Sequence, residues 1–203
     1  MHTDLLPPSS DHGAFQTALE DAMIVGCLAP SIFNSQPWRW VVGDGKLLLY
    51  GDLTKQVTAI DPDGRLLRLS CGVSLHHAYT ELAAAGYRFD VARSPEESQP
   101  NLLALIHLTG VGEPDPSAGV RARSAWARHT DRRPFAAGSV VSPSDLEDLQ
   151  RAGQFGGVVV HDITSHADFL ATAASAAATM RSANPASKNS TSAGSARPYL
   201  TRR

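Results

Sequence analysis

Residues 29–40, APSIFNSQPWRW, connect a helical pattern to a strand pattern. Pro30 and Pro37 lack a backbone donor, and each pushes the preceding residue out of the α region. The segment between them is therefore predicted to be a stiff loop. Its polar side chains are Ser31, Asn34 and Gln36. Together with the adjacent tryptophan they would suit a flat ligand with polar edges. The alternative is a helix-to-strand turn whose Ser and Asn side chains bond local backbone groups.

The sequence on either side of this loop predicts a helix before it and a β-hairpin after it. Apolar residues recur at helical spacing from Phe15 to Leu28, and Asp11 can cap that helix. Apolar positions alternate over residues 38–42, and a strong turn signal stands at Asp44-Gly45 before a return strand at 47–50.

A long helix is predicted from Arg65 to Ala85, with apolar residues over most of its circumference. Such a helix needs cover on more than one side. His76 and His77 lie on it as neighbours and are interpreted as packing or capping residues. The remaining predicted elements are strands near 87–91 and 102–108, a linker at 110–117, a basic helix or extended segment at 120–135, a helix opened by Ser142 and Pro143, a strand at 158–163 and an Ala-rich helix at 166–182.

Composition narrows the functional classes. The chain has 203 residues, of which 42% are hydrophobic and 19% charged, so a folded core is expected. A net charge of −2 predicts no nucleic-acid partner and no anionic membrane partner. Cys27 and Cys71 lie far apart in apolar helical patterns and are predicted to be buried free thiols rather than a disulfide or a metal site. The chain shows no secretory signal and no membrane-spanning run, which predicts a cytoplasmic protein.

A second informative string is RHTDRRPF at residues 128–135. In an extended segment Arg128, Thr130 and Arg132 would point to the same side. Two guanidinium groups and a hydroxyl would then bind a phosphate dianion through charge-assisted hydrogen bonds. The alternative is a solvated basic surface that also includes Arg121 and Arg123.

Both strings resemble motifs of the nitroreductase superfamily. The pattern P-S-x-x-N-x-Q-P-W is similar to the loop that lies against the isoalloxazine ring of FMN, and R-x-T-x-R is similar to the R-x-S-x-R string that holds the FMN phosphate. Over residues 14–182 the chain resembles the Acg-type nitroreductases, in which two halves are fused. The cofactor-binding residues that this resemblance implies are Pro30, Ser31, Asn34, Arg128, Thr130 and Arg132. No catalytic acid, base or nucleophile is identifiable.

The resemblance implies an α+β fold with a mostly antiparallel sheet flanked by helices. It predicts a first nitroreductase-like half at 1–112, the start of a second, incomplete half at 113–182, and a disordered tail at 183–203. The implied function is an FMN-dependent NAD(P)H oxidoreductase that reduces a small-molecule electron acceptor, nitroaromatic or quinone-like. Two alternatives remain: a protein that sequesters flavin without turnover, and an inactive truncated relic. Incomplete cover of the 65–85 helix predicts a homodimer or aggregation, with flavin bound weakly.

Overall fold

The computed structural model describes residues 11–131, 133, 141–155, 158–163 and 166–183. Contacts divide the chain into two compact units, one running to His129 and one beginning at Thr130. In the first unit the order is α1 (Asp11–Cys27), a 3-10 turn (Ile32–Asn34), β1 (Trp38–Gly43), β2 (Lys46–Gly51), a second 3-10 turn (Leu53–Lys55), α2 (Arg65–Ala84), β3 (Tyr87–Arg93), β4 (Leu102–Val111) and α3 (Pro116–Ala127). In the second unit the helices are α4 (Pro143–Phe155) and α5 (Ala167–Ala183).

The four strands form one sheet in the order β1-β2-β4-β3, and every neighbouring pair is antiparallel. The predicted hairpin is confirmed, because Gly43 pairs with Lys46 across a two-residue turn. Asp44 and Gly45 both have positive φ, at 52° and 70°. A primed turn requires this conformation, and its twist matches that of the strands. The α+β class and the antiparallel sheet are therefore as the sequence predicted.

The core of the first unit lies between the sheet and the pair α1 and α2. The long helix predicted from Arg65 is confirmed as α2, and its buried apolar residues form one stripe of Leu67, Cys71, Leu75, Ala78 and Leu82. The two helices approach closely at Gly26, where an added Cβ would lie 3.1 Å from the Ser74 carbonyl oxygen. Ser74, 0% exposed, accepts a hydrogen bond from Trp40 Nε1 at 3.2 Å and donates one to the Gly26 carbonyl at 2.8 Å. This serine therefore joins α1, α2 and β1.

Two element predictions need correction. The strand predicted at 158–163 is absent: these residues have no regular structure, and Val159 is 74% exposed. A β-branched run becomes a strand only when a neighbouring strand pairs with it. The linker predicted at 110–117 is also wrong at both ends, because β4 continues to Val111 and α3 starts at Pro116.

Helix α3 occupies part of the segment that was predicted as helix or extended chain. The Asp115 side chain accepts from the Ser117 backbone N–H at 2.8 Å and so caps the helix. Because α3 packs against α2, the first compact unit extends past residue 112. The division into two nitroreductase-like halves at that residue stays a prediction.

The helix predicted after Ser142 is confirmed. Ser142 Oγ accepts from the Asp145 backbone N–H at 3.1 Å, and the Asp145 carboxylate accepts from the Ser142 backbone N–H at 3.2 Å, which is a reciprocal cap. The Ala-rich helix is confirmed as α5. Of the tail predicted at 183–203, Ala183 is the last residue of α5, and residues 184–203 lie outside the described part of the chain. Among the described helices, none has the length and apolar content needed to cross a bilayer.

Candidate functional site

The loop between α1 and β1 has a strained backbone. Phe33, Asn34 and Gln36 have φ values of 49°, 57° and 47°, in the left-handed region that side chains other than glycine seldom adopt. Three such residues within four positions persist only where the surrounding structure holds them, and residues of this kind cluster at functional sites.

Helix α2 and one lysine hold this loop. The backbone N–H of Ile32 donates to Ser70 Oγ at 3.2 Å, and Cys71 Sγ donates to the Pro37 carbonyl at 3.2 Å. Lys55 Nζ donates to the Gln36 carbonyl at 3.1 Å. Ser70 was not predicted as part of the site; its signal in the sequence is a serine next to Cys71, within the apolar pattern of α2.

The predicted loop residues differ in what they offer a ligand. Ser31 Oγ accepts from the Gln36 backbone N–H at 2.9 Å, so the hydroxyl is used inside the loop and retains its own hydrogen for donation. Asn34 is exposed, whereas Pro30 and Ser31 are half-buried. Ser35 Oγ is buried and has no hydrogen-bond partner among the described residues. The loop therefore combines an exposed amide with an unsatisfied hydroxyl.

The arginine string meets the loop at its first member. Arg128 follows α3 with φ −65° and ψ 133°, so the backbone is extended at this residue. Its Nη2 donates to the Leu28 carbonyl at 3.2 Å, two residues before Pro30. Thr130 is exposed and begins the second unit, and Arg132 lies outside the described residues.

A cavity of about 250 Å³ lies between α2 and α3 beside Arg128. Its lining is His76, His77 and Thr80 from α2, with Arg121, Ser124, Ala125 and Arg128 from α3 and its end. Partial burial and the charge of Arg121 lower the pKa of His76. Burial, His76 and Arg128 lower the pKa of His77, although the Val25 carbonyl opposes this. The two histidines therefore line this cavity together with Arg121 and Arg128.

The cysteines do not contribute a reactive group. Burial, with a smaller effect of Asp52, raises the pKa of Cys71 to about 12, and burial also raises the pKa of Cys27. Both are free thiols; Cys71 is buried and Cys27 is half-buried. Across the described ranges, no group of three or more metal-ligating side chains comes together.

Comparison with known proteins identifies relatives of this chain, although no protein-family model matches it. A Mycobacterium tuberculosis protein named "Putative NAD(P)H nitroreductase Rv3131" is 36% identical over 137 residues, which are 68% of this chain and 39% of the relative. Another from that organism, "Putative NAD(P)H nitroreductase acg", is 37% identical over 118 residues, covering 58% of this chain and 36% of the relative. The chain is a homologue of the Acg-type nitroreductases.

The similarity covers only part of each relative. A third M. tuberculosis protein, Rv3127, is 35% identical over 121 residues, again 58% of this chain and 35% of the relative. The chain thus spans 35% to 39% of the length of the curated relatives that it matches. The resemblance identified from the loop and the arginine string is confirmed at the level of homology.

Proposed function

We propose that this chain is an FMN-dependent NAD(P)H oxidoreductase that reduces nitroaromatic or quinone-like acceptors. The names of the Acg-type homologues support an NAD(P)H oxidoreductase. The observation that carries the flavin part of the proposal is the 3.2 Å hydrogen bond from Arg128 to the Leu28 carbonyl. It brings the start of the arginine string next to the loop, as a single site built from both motifs requires.

The loop residues fit the edge and face of a flavin. In this proposal Pro30, Ser31 and Asn34 lie against the ring, where the exposed Asn34 amide and the Ser31 hydroxyl can donate hydrogen bonds. The strained backbone supports this assignment, because strain at Phe33 and Gln36 has no evident value for folding alone. Bound FMN would supply the redox chemistry, while the chain binds and orients it.

Arg128, Thr130 and Arg132 are proposed to bind the FMN phosphate. Guanidinium groups bind phosphate oxygens through paired, charge-assisted hydrogen bonds, which are stronger than bonds between neutral groups. A contact of this kind contributes about 1.5–3 kcal/mol. The site therefore distinguishes FMN from riboflavin, which has the same ring and no phosphate.

The test is a fluorescence-quenching titration of the full chain with FMN and with riboflavin. Arg128→Ala should weaken FMN binding roughly 10- to 100-fold and leave riboflavin binding nearly unchanged. Arg123→Ala is the matched control, since Arg123 is an exposed arginine of α3 that does not line the cavity. Equal affinity of the wild-type chain for FMN and riboflavin would reject the phosphate assignment.

Turnover is tested separately from binding. Anaerobic addition of NADH or NADPH to the FMN-loaded chain should bleach the visible flavin absorbance, and a nitroaromatic acceptor should restore it. Flavin that stays oxidised in the presence of both nicotinamides would contradict an oxidoreductase and favour sequestration of FMN.

A further inference from the structure

Two steric effects act against the backbone conformation of Gln36. Its φ of 47° lies in the left-handed region, which side chains other than glycine seldom adopt. It also stands directly before Pro37, and a proline pushes the preceding residue towards an extended conformation. Such a conformation costs free energy and persists only where the surroundings hold it. The contacts of Gln36 therefore show what keeps the loop in shape.

Both polar backbone groups of Gln36 are hydrogen-bonded. Its N–H donates to Ser31 Oγ at 2.9 Å, and its carbonyl accepts from Lys55 Nζ at 3.1 Å. The bond to Ser31 joins two residues of the same loop, so it would move with the loop. Lys55 belongs instead to the 3-10 turn that follows β2. The lysine therefore ties the strained residue to a part of the fold outside the loop.

The turn that carries Lys55 is itself fastened next to the end of the loop. The Asp52 backbone N–H donates to the Pro37 carbonyl at 2.9 Å. The Asp52 carboxylate accepts from the Thr54 backbone N–H at 3.1 Å and so caps the turn, and it lies 3.9 Å from Lys55 Nζ. Lys55 is half-buried. Its ammonium group is thus held beside the Gln36 carbonyl by the turn and by Asp52.

We propose that Lys55 is a positioning residue for the flavin ring, because it fixes Gln36 and, through Gln36, the Ser31 hydroxyl. The Gln36 N–H occupies one lone pair of Ser31 Oγ, which leaves the hydroxyl proton for a ligand. Groups that are ordered before binding cost less entropy when the ligand arrives. The identity of the ligand rests on the proposed function, whereas the hold on the loop does not.

The hold on the loop is tested without flavin, by hydrogen exchange of single amides in the full chain followed by NMR. Lys55→Met keeps the side-chain length but loses the donor, and it should speed exchange of the Gln36 amide about 5- to 10-fold, as expected for a partly exposed charged donor. Lys46→Met, the same change at an exposed lysine of β2, is the matched control and should leave exchange unchanged. Lys55→Arg keeps a cationic donor and should restore protection. Unchanged exchange of the Gln36 amide in Lys55→Met would overturn the proposal.

The consequence for the ring is tested by fluorescence titration with FMN and riboflavin. Lys55→Met should weaken both about 5-fold, because the loop faces the ring that the two flavins share, whereas Arg128→Ala should weaken FMN alone. Lys55→Arg should restore both affinities, and Lys46→Met should change neither.

A urea midpoint is recorded for every variant, since a lysine that served only the fold would lower the midpoint and leave the affinities of the folded chain unchanged. That result, or a loss confined to FMN, would reject the positioning role while leaving the flavin site in place. A wild-type chain that binds neither flavin would instead reject the proposed function and the ring as ligand. Hydrogen exchange would then still decide whether Lys55 holds the loop.

Discussion

Helices α2 and α5 are both long and rich in apolar residues, yet they differ completely in burial. Helix α2 has 20 residues, and those buried are Leu67, Ser70, Cys71, Ser74, Leu75, Ala78, Thr80 and Leu82. Helix α5 has 17 residues, and every side chain from Ala167 to Met180 is exposed. The difference is that α2 contacts α1, α3 and the sheet within its own unit. Apolar residues of a helix therefore become buried only where other helices or strands pack against them.

The two sides of α2 itself also differ in burial. Leu69 is 66% exposed, and Gly72 and His76 on the same side are exposed too. The sequence predicted a helix that needs cover on more than one side, and the described elements leave this strip uncovered. The homodimer expected from that reasoning stays a prediction.

The largest expected difference between the two helices is in the loss of unfolding free energy when a leucine is replaced by alanine. Leu82 is 1% exposed in α2 and Leu170 is 37% exposed in α5. Leu82→Ala should lower the free energy of unfolding by about 2–5 kcal/mol, because it removes buried methyl groups and leaves a cavity. Leu170→Ala should change it by less than about 0.5 kcal/mol. Urea denaturation followed by circular dichroism measures both, and comparable losses would show that α5 is buried in solution.

A smaller contrast concerns serines. Ser74→Ala leaves the buried Trp40 indole N–H without its partner. It also removes one of two donors to the buried Gly26 carbonyl, which still accepts from the Ala29 backbone N–H at 3.2 Å. We expect a loss of about 1–3 kcal/mol in unfolding free energy, whereas Ser175→Ala on the exposed α5 should have almost no effect. Tryptophan fluorescence during denaturation reports the first variant, and circular dichroism reports the second. An unchanged midpoint for Ser74→Ala would mean that water or a local shift replaces the lost bonds.

The smallest contrast concerns the acids at the starts of the helices: the stability that Asp61 contributes at neutral pH is lost at low pH. Burial alone raises the pKa of Asp61, but the backbone N–H groups of Leu66, Leu67 and Arg65 and the charge of Arg68 outweigh it, so the pKa falls below 3.8. A lowered pKa in the folded state stabilises the protein above pH 3.8, and this stability is lost as the pH falls through the folded value.

Asp61→Asn should therefore reduce stability by about 1 kcal/mol at neutral pH and flatten the acid limb of a stability-against-pH curve. Asp168→Asn, in the first turn of α5, is the matched control and should leave that limb unchanged. Urea midpoints between pH 2.5 and 7 provide the measurement. An unaltered acid limb in Asp61→Asn would assign the acid sensitivity to other carboxylates.

The elements of the fold that could be predicted are those specified by residues close together in the sequence. The stripe of α2 follows from residues three and four apart, the hairpin from Asp44-Gly45, and the α4 cap from Ser142 and Pro143. Each involves residues within one turn of helix or one tight turn, so neighbours along the chain decide it. The strand predicted at 158–163 failed because a strand depends on a distant partner, which the pattern cannot reveal.

The sequence by itself indicated the similarity to the Acg-type nitroreductases and the two candidate motifs, because a proline-bounded loop and an arginine string each consist of consecutive residues. Only the tertiary structure decided that Arg128 reaches the Leu28 carbonyl and that Arg121 shares a cavity with His76, His77 and Thr80. Those groups are 41 to 100 residues apart in the chain. They meet only because α3 packs across α2, and the register of that packing depends on buried side chains whose mutual fit no local pattern encodes.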